Sequence, residues 1–382
     1  MINYNDALYI IFDRVGFLYT DRISKLKMKM EACLNCELDK CCMLVTSPAN
    51  RFYFSNFYSS SGAVLIFKER SYLILDSRYF AAAKNLASGL DIVCTKDLLG
   101  TVTDFVRKEN VHSLLLENDF VTLNLANKLK ESIKECNCII DKRDILTPVI
   151  SKMRSIKSQS ELENIKKSQY ITEKVFYHAL KIIKPGLTEI LIATELEFFA
   201  KKLGAKSAAF DFIVASGENS AVPHSNVSDR KIQKNDVILI DIGVNFGGYM
   251  SDMSRTVFLG EISSQQKEVY NLVLRAQELA ISSIKSGVKC DDIDNIVRSF
   301  IDSTKYKGLF LHSTGHGVGL NIHEKPFISS KNDDVLEEGM VVTVEPGIYI
   351  QDKFGIRIED MLLVTKYGCE NLTHTPKDSI VL

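Results

Sequence analysis

The sequence predicts an α/β domain over residues 1–150 and, over residues 151–382, a second domain built from two related halves. Three observations carry this. The chain is 382 residues long, 46% hydrophobic and 25% charged, enough for two or three domains' worth of core. Between residues 23 and 145, short apolar runs alternate with helical patterns. From about residue 160 onward, motifs recur in order at offsets close to 100 residues.

In the first domain, "CCMLVTS", "GAVLIFKERSYLILDSRY" (a hairpin turning at Glu69-Arg70), "DIVCT", "HSLLLEN" and "NCIID" read as strands. "RYFAAAKNLAS", "KDLLGTVTDFVRK" and "TLNLANKLKESIK" read as helices. Pro148 and the polar stretch "SKMRSIKSQS" mark a boundary near residue 150. The second domain opens on a long helix from about Ser160, whose "SELE" fits a capping box, to a stop at Pro185-Gly186. "IKPGLTEILIATEL" (183–196) is then echoed by "IKSGVKCDDIDNIV" (284–297), and "VILIDIGVNFGGYMSDMSRTVFL" (237–259) by "TVEPGIYIQDKFGIRIEDMLLV" (343–364). The offsets are 101 from Gly186 to Gly287, 104 from Asp241 to Glu345 and 107 from Asp252 to Glu359.

A net charge of −1 gives no reason to expect nucleic acid or a membrane surface as partner, and no apolar run approaches the length of a spanning helix. The first 22 residues have no basic leader and no small-residue cleavage site, so no signal peptide is expected. Nine cysteines, an odd number, point to reduced thiols and a cytoplasmic protein. The group Cys33, Cys36, Cys41 and Cys42 contains one CxxC but no second pair at zinc-ribbon spacing, and reads as incidental thiols.

The chemistry lies in the acids of the two echoed hairpins. With the first turn centred between Phe246 and Gly247, Asp241 and Asp252 form a cross-strand pair. With the second centred on Asp352, so do Glu345 and Glu359. Opposed residues have Cβ atoms roughly 4.5–5.5 Å apart, and like charges so placed destabilise a sheet and raise one another's pKa. Taken singly, each acid could face solvent. The near-continuous apolar runs "VILID" and "MVVTVE" instead suit strands buried on both faces. Four buried carboxylates need compensating positive charge, and Arg357 is the one cation read into the strand cores. Two divalent cations would supply it, in the manner of hydrolytic sites whose carboxylates are shared between metals ~3.5–4 Å apart.

Four of the seven histidines, His224, His312, His316 and His323, fall in turn-rich segments of the second domain. His312 and His316 have the i, i+4 spacing of a helical zinc pair. Gly315, Gly317 and Gly319 would cost that helix roughly 3 kcal/mol relative to alanine, so an extended, glycine-lined strand is expected. A phosphate loop is excluded, because the third glycine of GxGxxG falls at Leu320 and no GK[ST] follows.

"DIGVNFGGYMSDMSRT", "HSTGHGVGLNIHEKP", "TVEPGIYI" and "GIRIEDMLLVT" resemble, in order and spacing, the metal motifs of the creatinase and methionine-aminopeptidase superfamily of pita-bread metallopeptidases. "GAVLIFKERSYLILDSRY" resembles the creatinase-type N-terminal domain. The resemblance runs from about residue 23 to the end. It implies an α/β creatinase-type N-terminal domain and an α+β pita-bread catalytic domain with a pseudo-twofold repeat. It also implies that Asp241 chelates one metal, that His316 and Glu345 hold the other, and that Asp252 and Glu359 bridge them. His224 and His323 would bind substrate and handle protons, with His312 in a substrate-side or supporting role. Arg357, two residues before a ligand, would orient carboxylates.

Within that superfamily the residues are most similar to Xaa-Pro aminopeptidases and Xaa-Pro dipeptidases (prolidases). Prolidases often place an arginine after "HExP", whereas Phe327 follows Pro326 here, which favours the aminopeptidase, with the dipeptidase as alternative. The "TGFTGS"-like loop reads "SNFYSSS". The substrate is expected to be a peptide with proline second, with Glu345 shuttling a proton to the leaving proline nitrogen and His323 or His224 stabilising the oxyanion. Oxygen-rich ligands favour manganese, while cobalt, iron or zinc could also occupy the site. A homodimer is implied by the same resemblance. Some relatives of this fold have lost ligands and only bind peptide or protein; the complete set of five here argues for an enzyme.

Overall fold

A computed structural model describes residues 21–34, 37–87 and 89–382, which divide into two compact units with the boundary between Met153 and Arg154. Cys36 lies outside the described residues. No helix among those residues is long and apolar enough to cross a membrane.

The first unit is a six-stranded sheet with helices. Its strands are β1 (Cys41–Val45), β2 (Ala63–Ile66), β3 (Ser71–Leu75), β4 (Asp91–Cys94), β5 (Ser113–Leu116) and β6 (Ile139–Ile140), in the order β4-β3-β2-β1-β5-β6. β1, β2 and β3 pair antiparallel, while β4, β5 and β6 join parallel through helical crossovers. The β2–β3 turn closes from Phe67 to Arg70 and centres on Lys68-Glu69, one residue before the position expected from sequence. Pro148 sits in the first turn of the helix Leu146–Ser155, where its missing N–H costs nothing. The polar stretch that reads as a linker is thus largely helical.

In the second unit each half supplies two helices, one long hairpin and further short strands. The first half has helices Gln159–Ile182 and Glu189–Lys202, short strand β7 (Ser207–Ala208), β8 (Ile213–Ser216), then β9 (Val237–Ile242), β10 (Val244–Phe246), β11 (Tyr249–Met250) and β12 (Met253–Phe258). The second has helices Ser264–Ser283 and Cys290–Asp302, β13 (Gly315–Gly317), β14 (Glu324–Ile328), β15 (Val341–Val344), β16 (Gly347–Ile350), β17 (Phe354–Arg357), β18 (Asp360–Val364) and β19 (Cys369–Asn371); β20 (Ile380–Val381) returns to pair with β12. The sheet orders β8-β9-β12 and β13-β15-β18 correspond, and each half buries its own apolar core beneath its helix pair. The echoed helix–helix turns are bonded alike: Gly186 N–H donates to Ile232 O and Gly287 N–H to Leu336 O, both at 2.9 Å. The sequence repeat is therefore a structural one.

The long opening helix starts at Gln159, its cap formed by Ser158, whose N–H donates to the Glu161 carboxylate at 2.8 Å. Ser160 is not the cap. Two overlapping S-x-x-E patterns compete here, and Glu161 wins because its other oxygen accepts from the Tyr249 hydroxyl.

The hairpin registers differ from each other. In the second, Gly347 faces Arg357 and Val344 faces Asp360, so Glu345 and Glu359 occupy opposed positions between the paired segments. In the first, Asn245 pairs Met250 and Asp241 pairs Ser254, so Asp241 and Asp252 are not opposed. The cause is the turn: Gly247 (φ 60°) and Gly248 (φ 93°) are its two central residues, both left-handed as a type I′ turn requires. The centre therefore lies one position beyond Phe246-Gly247, and Asp252 slides opposite Gly243.

Candidate metal centre

The acids stand where the strands break. Asp241 is the penultimate residue of β9, Asp252 lies between β11 and β12, Glu345 follows β15, and Glu359 lies between β17 and β18. At Glu359 the backbone leaves its own ladder and binds across to the first hairpin, its N–H donating to Ser254 O (3.1 Å), while Glu345 N–H continues the β13–β15 register by donating to Thr314 O (2.8 Å). His316 comes in from β13, which is extended, and a Cβ at Gly315 would stand 2.0 Å from the Thr343 carbonyl oxygen. That close approach is what brings His316 beside Glu345.

His316 Nε2 lies 3.5 Å from Asp252 Oδ2 and 3.4 Å from Glu345 Oε1. Asp252, His316 and Glu359 can each turn one ligand atom to within 4.8 Å of the others, and all three are buried. His316 Nδ1 faces its neighbour's carbonyl, Gly317 O, at 3.2 Å; a carbonyl only accepts, so the proton sits on Nδ1 and the Nε2 lone pair points at the acids. Burial, with His323 close by, pushes the His316 pKa down to about 3, which keeps the ring neutral. His312 stands apart from the acids. Its Nδ1 donates to Ser313 O (2.9 Å) and its Nε2 accepts from the Tyr349 hydroxyl (2.8 Å).

Burial and mutual repulsion drive the carboxyl groups the other way. Asp252 and Glu359 are raised well above the ordinary range by desolvation and then by neighbouring acids, and Glu345 is pushed up to about 8. Among the described residues Arg357 is the one cation that meets the cluster: its Nη2 donates to Asp241 Oδ2 (2.5 Å), Nη1 to the Tyr349 hydroxyl (2.8 Å) and to Pro223 O (3.1 Å), and Nε to Ser254 Oγ (2.8 Å). One guanidinium against four acids leaves a deficit. Asp241 Oδ1 and Glu359 Oε1 are buried without any hydrogen-bond partner. Orphaned carboxylate oxygens beside a neutral imidazole lone pair form a donor set suited to divalent cations.

Arg357 is not the only strand arginine. Arg255 in β12 is also buried, but its guanidinium faces away and is consumed by Asp360 Oδ1 (2.7 Å) and the Glu359 carbonyl (2.5 Å). Ser254 and Arg255 point to opposite faces of the strand, so only Ser254 reaches the cluster, donating to Glu359 Oε2 at 2.8 Å. Tyr349 escaped the sequence reading, although Glu345, Gly347 and Tyr349 share one face at period two. That alternation was the available signal.

The cluster forms the floor of a cavity of about 530 Å³, walled by Phe210, Ile213, His224, His312, His323 and Phe327 among others. His224 and His323 are exposed to it, and the His323 ring packs edge-on against His316 at 4.3 Å. All nine residues singled out from sequence therefore line one cavity.

The electrostatics predict how the metal-free protein responds to pH. Glu345 folded holds a proton up to about pH 8 that the unfolded chain releases near 4.5, so its stabilisation is lost as pH rises through that range; Asp252 and Glu359 act in the same direction. His316 contributes oppositely, but fully, above pH 6.5. Between pH 6.5 and 8 the thermal midpoint in chelator should therefore fall relative to that with divalent metal. Paired melting curves check this, and a constant gap would contradict it.

Two sequence profiles match the chain: metallopeptidase family M24 over residues 163–366, and the creatinase/prolidase N-terminal domain over residues 22–156. The Xaa-Pro dipeptidase of Pyrococcus furiosus is 35% identical over 339 residues, which is 88% of this chain and 94% of that protein. Among solved structures, an Xaa-Pro dipeptidase from Bacillus anthracis superposes with a TM-score of 0.89 at 39% identity, covering 95% of this chain and 100% of its own. An X-Pro aminopeptidase from Thermotoga maritima MSB8 superposes with a TM-score of 0.84 at 37% identity, covering 90% and 98%.

Proposed function

We propose, for a chain that belongs to metallopeptidase family M24, that its reaction is hydrolysis of the bond between a first residue and a following proline, with Xaa-Pro dipeptides as the preferred substrates. The protein is a metallopeptidase hydrolase, with a creatinase-type N-terminal domain and a pita-bread catalytic domain. The aminopeptidase preference expected from sequence gives way to the dipeptidase, because relatives alike over nearly the whole chain carry that name. The observation that carries the catalytic reading is the pair of orphaned carboxylate oxygens, Asp241 Oδ1 and Glu359 Oε1, at the floor of the cavity.

Asp241, Asp252, His316, Glu345 and Glu359 would hold two divalent ions, with manganese favoured by the excess of oxygen donors. The chemistry such ions supply is activation of water near neutral pH and polarisation of a carbonyl. The chain's own groups do the rest. Glu345, the one acid of the cluster that is only half-buried, takes a proton on its carboxylate and delivers it to the proline nitrogen. His323, whose pKa is lowered by partial desolvation, donates from a ring N–H to the developing oxyanion, with His224 serving in substrate binding. Phe210, Ile213 and Phe327 offer an apolar wall to a pyrrolidine ring, whose tertiary amide brings no N–H needing a partner.

A second reading, the Xaa-Pro aminopeptidase, is favoured by Phe327: a half-exposed phenyl at the cavity gives no cation to a free carboxylate. Ala-Pro and Ala-Pro-Ala separate the two. The manganese-loaded protein should cut Ala-Pro faster, by on the order of tenfold in kcat/KM or more. Faster cleavage of the tripeptide would establish the aminopeptidase instead.

A further inference from the structure

Glu324 directly follows His323 and opens β14, yet its carboxylate turns away from the metal cluster and into the protein. There it meets two buried cations from the segment preceding the long helix. Lys157 Nζ donates to Oε1 at 3.0 Å and Arg154 Nη2 donates to Oε2, with the Lys157 side chain 1% and the Glu324 side chain 8% exposed. Burial alone would raise the Glu324 pKa, but Lys157 and Arg154 pull it below the ordinary value, so it is a carboxylate.

That carboxylate is the foundation of the loop that delivers His323. The Asn321 N–H points at Oε2 from 3.4 Å, and a Cβ on Gly319 would stand 2.2 Å from Oε1, so loop and carboxylate are packed without slack. Gly319 in turn accepts from the Met250 N–H of the first ribbon at 2.8 Å. The segment carrying the cations is itself fixed. Lys157 N–H donates to Gly339 O at 2.9 Å and Ile156 bridges Met340, immediately before the strand that leads to Glu345.

We propose that Lys157 and Arg154 are positioning residues for His323, acting through the carboxylate of Glu324. They touch neither cluster nor cavity; they set where the imidazole stands. The proposal rests on the part assigned to His323 in hydrolysis. Reacting groups displaced by about 1 Å can lose on the order of 100-fold in rate, so a loosened loop has a large readout.

A double-mutant cycle tests it on the metal-loaded full chain, with whichever of Ala-Pro and Ala-Pro-Ala is cut faster. Lys157→Met leaves the Arg154–Glu324 pair neutral, so no net charge is stranded. It should lower kcat by on the order of 10–100-fold while KM changes by less than about threefold. Lys157→Arg should restore most of the loss. In a His323→Ala background, Lys157→Met should cost little more, because its effect passes through the missing ring. Full activity of Lys157→Met, or losses that multiply in the double variant, overturns the proposal while leaving the role of His323 intact. Full activity of His323→Ala overturns that role and this proposal with it. Should Lys157→Met not fold, Arg154→Gln, which leaves the Lys157–Glu324 pair, decides by the same cycle.

Discussion

Asp252→Asn should lower Xaa-Pro hydrolysis by roughly 1,000-fold or more, because the chemistry asked of the centre is activation of water that is otherwise far from ionised at neutral pH. Asp252 is buried among Glu359, Asp241 and Glu345, and its Oδ2 lies 3.5 Å from the His316 lone pair. The amide keeps the shape, removes one negative charge and turns a donor or a weaker acceptor toward the metal position. The same change should make the metal-free protein more stable, since it relieves repulsion that Arg357 offsets only in part. Activity and chelated stability therefore move in opposite directions. Activity within a few-fold of the parent, or a lower thermal midpoint in chelator, would contradict the shared-ligand reading.

The second large effect is expected at Arg357. Its guanidinium, 2% exposed, joins Asp241, Tyr349, Ser254 and the Pro223 carbonyl. Arg357→Met keeps much of the volume but strands the Asp241 carboxylate, and breaking a buried pair in this way costs about 3–5 kcal/mol. Divalent metal would also compensate Asp241, so the destabilisation should be largest in chelator and shrink when metal is added. Denaturation curves of parent and variant, each with and without metal, give the four values needed. An equal loss under both conditions would mean that Asp241 has no share in metal binding.

Most element types of both units, the internal repeat and the extended conformation around His316 were legible in the sequence, because apolar periodicity and glycine spacing encode them locally; the helices Pro48–Ser55 and Leu146–Ser155 were not. The second hairpin's register was also legible: Asp352, the left-handed residue of its turn (φ 57°), marks the centre on which Glu345 and Glu359 balance. The first was misjudged because both glycines of "NFGG" are turn residues, and choosing one of them moves every partner by two positions along the opposite strand. Asp241 and Asp252 still approach the same point, but through the strand break at Ser251-Asp252 and not by direct opposition. What sequence could not supply is the orientation of charges brought together by the sheets. Arg255 looks as available as Arg357 in one dimension; only the second ribbon shows it turned toward Asp360. Glu324 likewise reads as part of a histidine motif, and its partners lie about 170 positions earlier in the chain.

Hydrolysis of Ala-Pro by exhaustively chelated protein, compared with the same sample resupplied with manganese, is the most direct test that these carboxylates act by holding divalent cations. The account predicts no turnover above background in chelator and recovery on resupply. Equal rates in the two samples would contradict it.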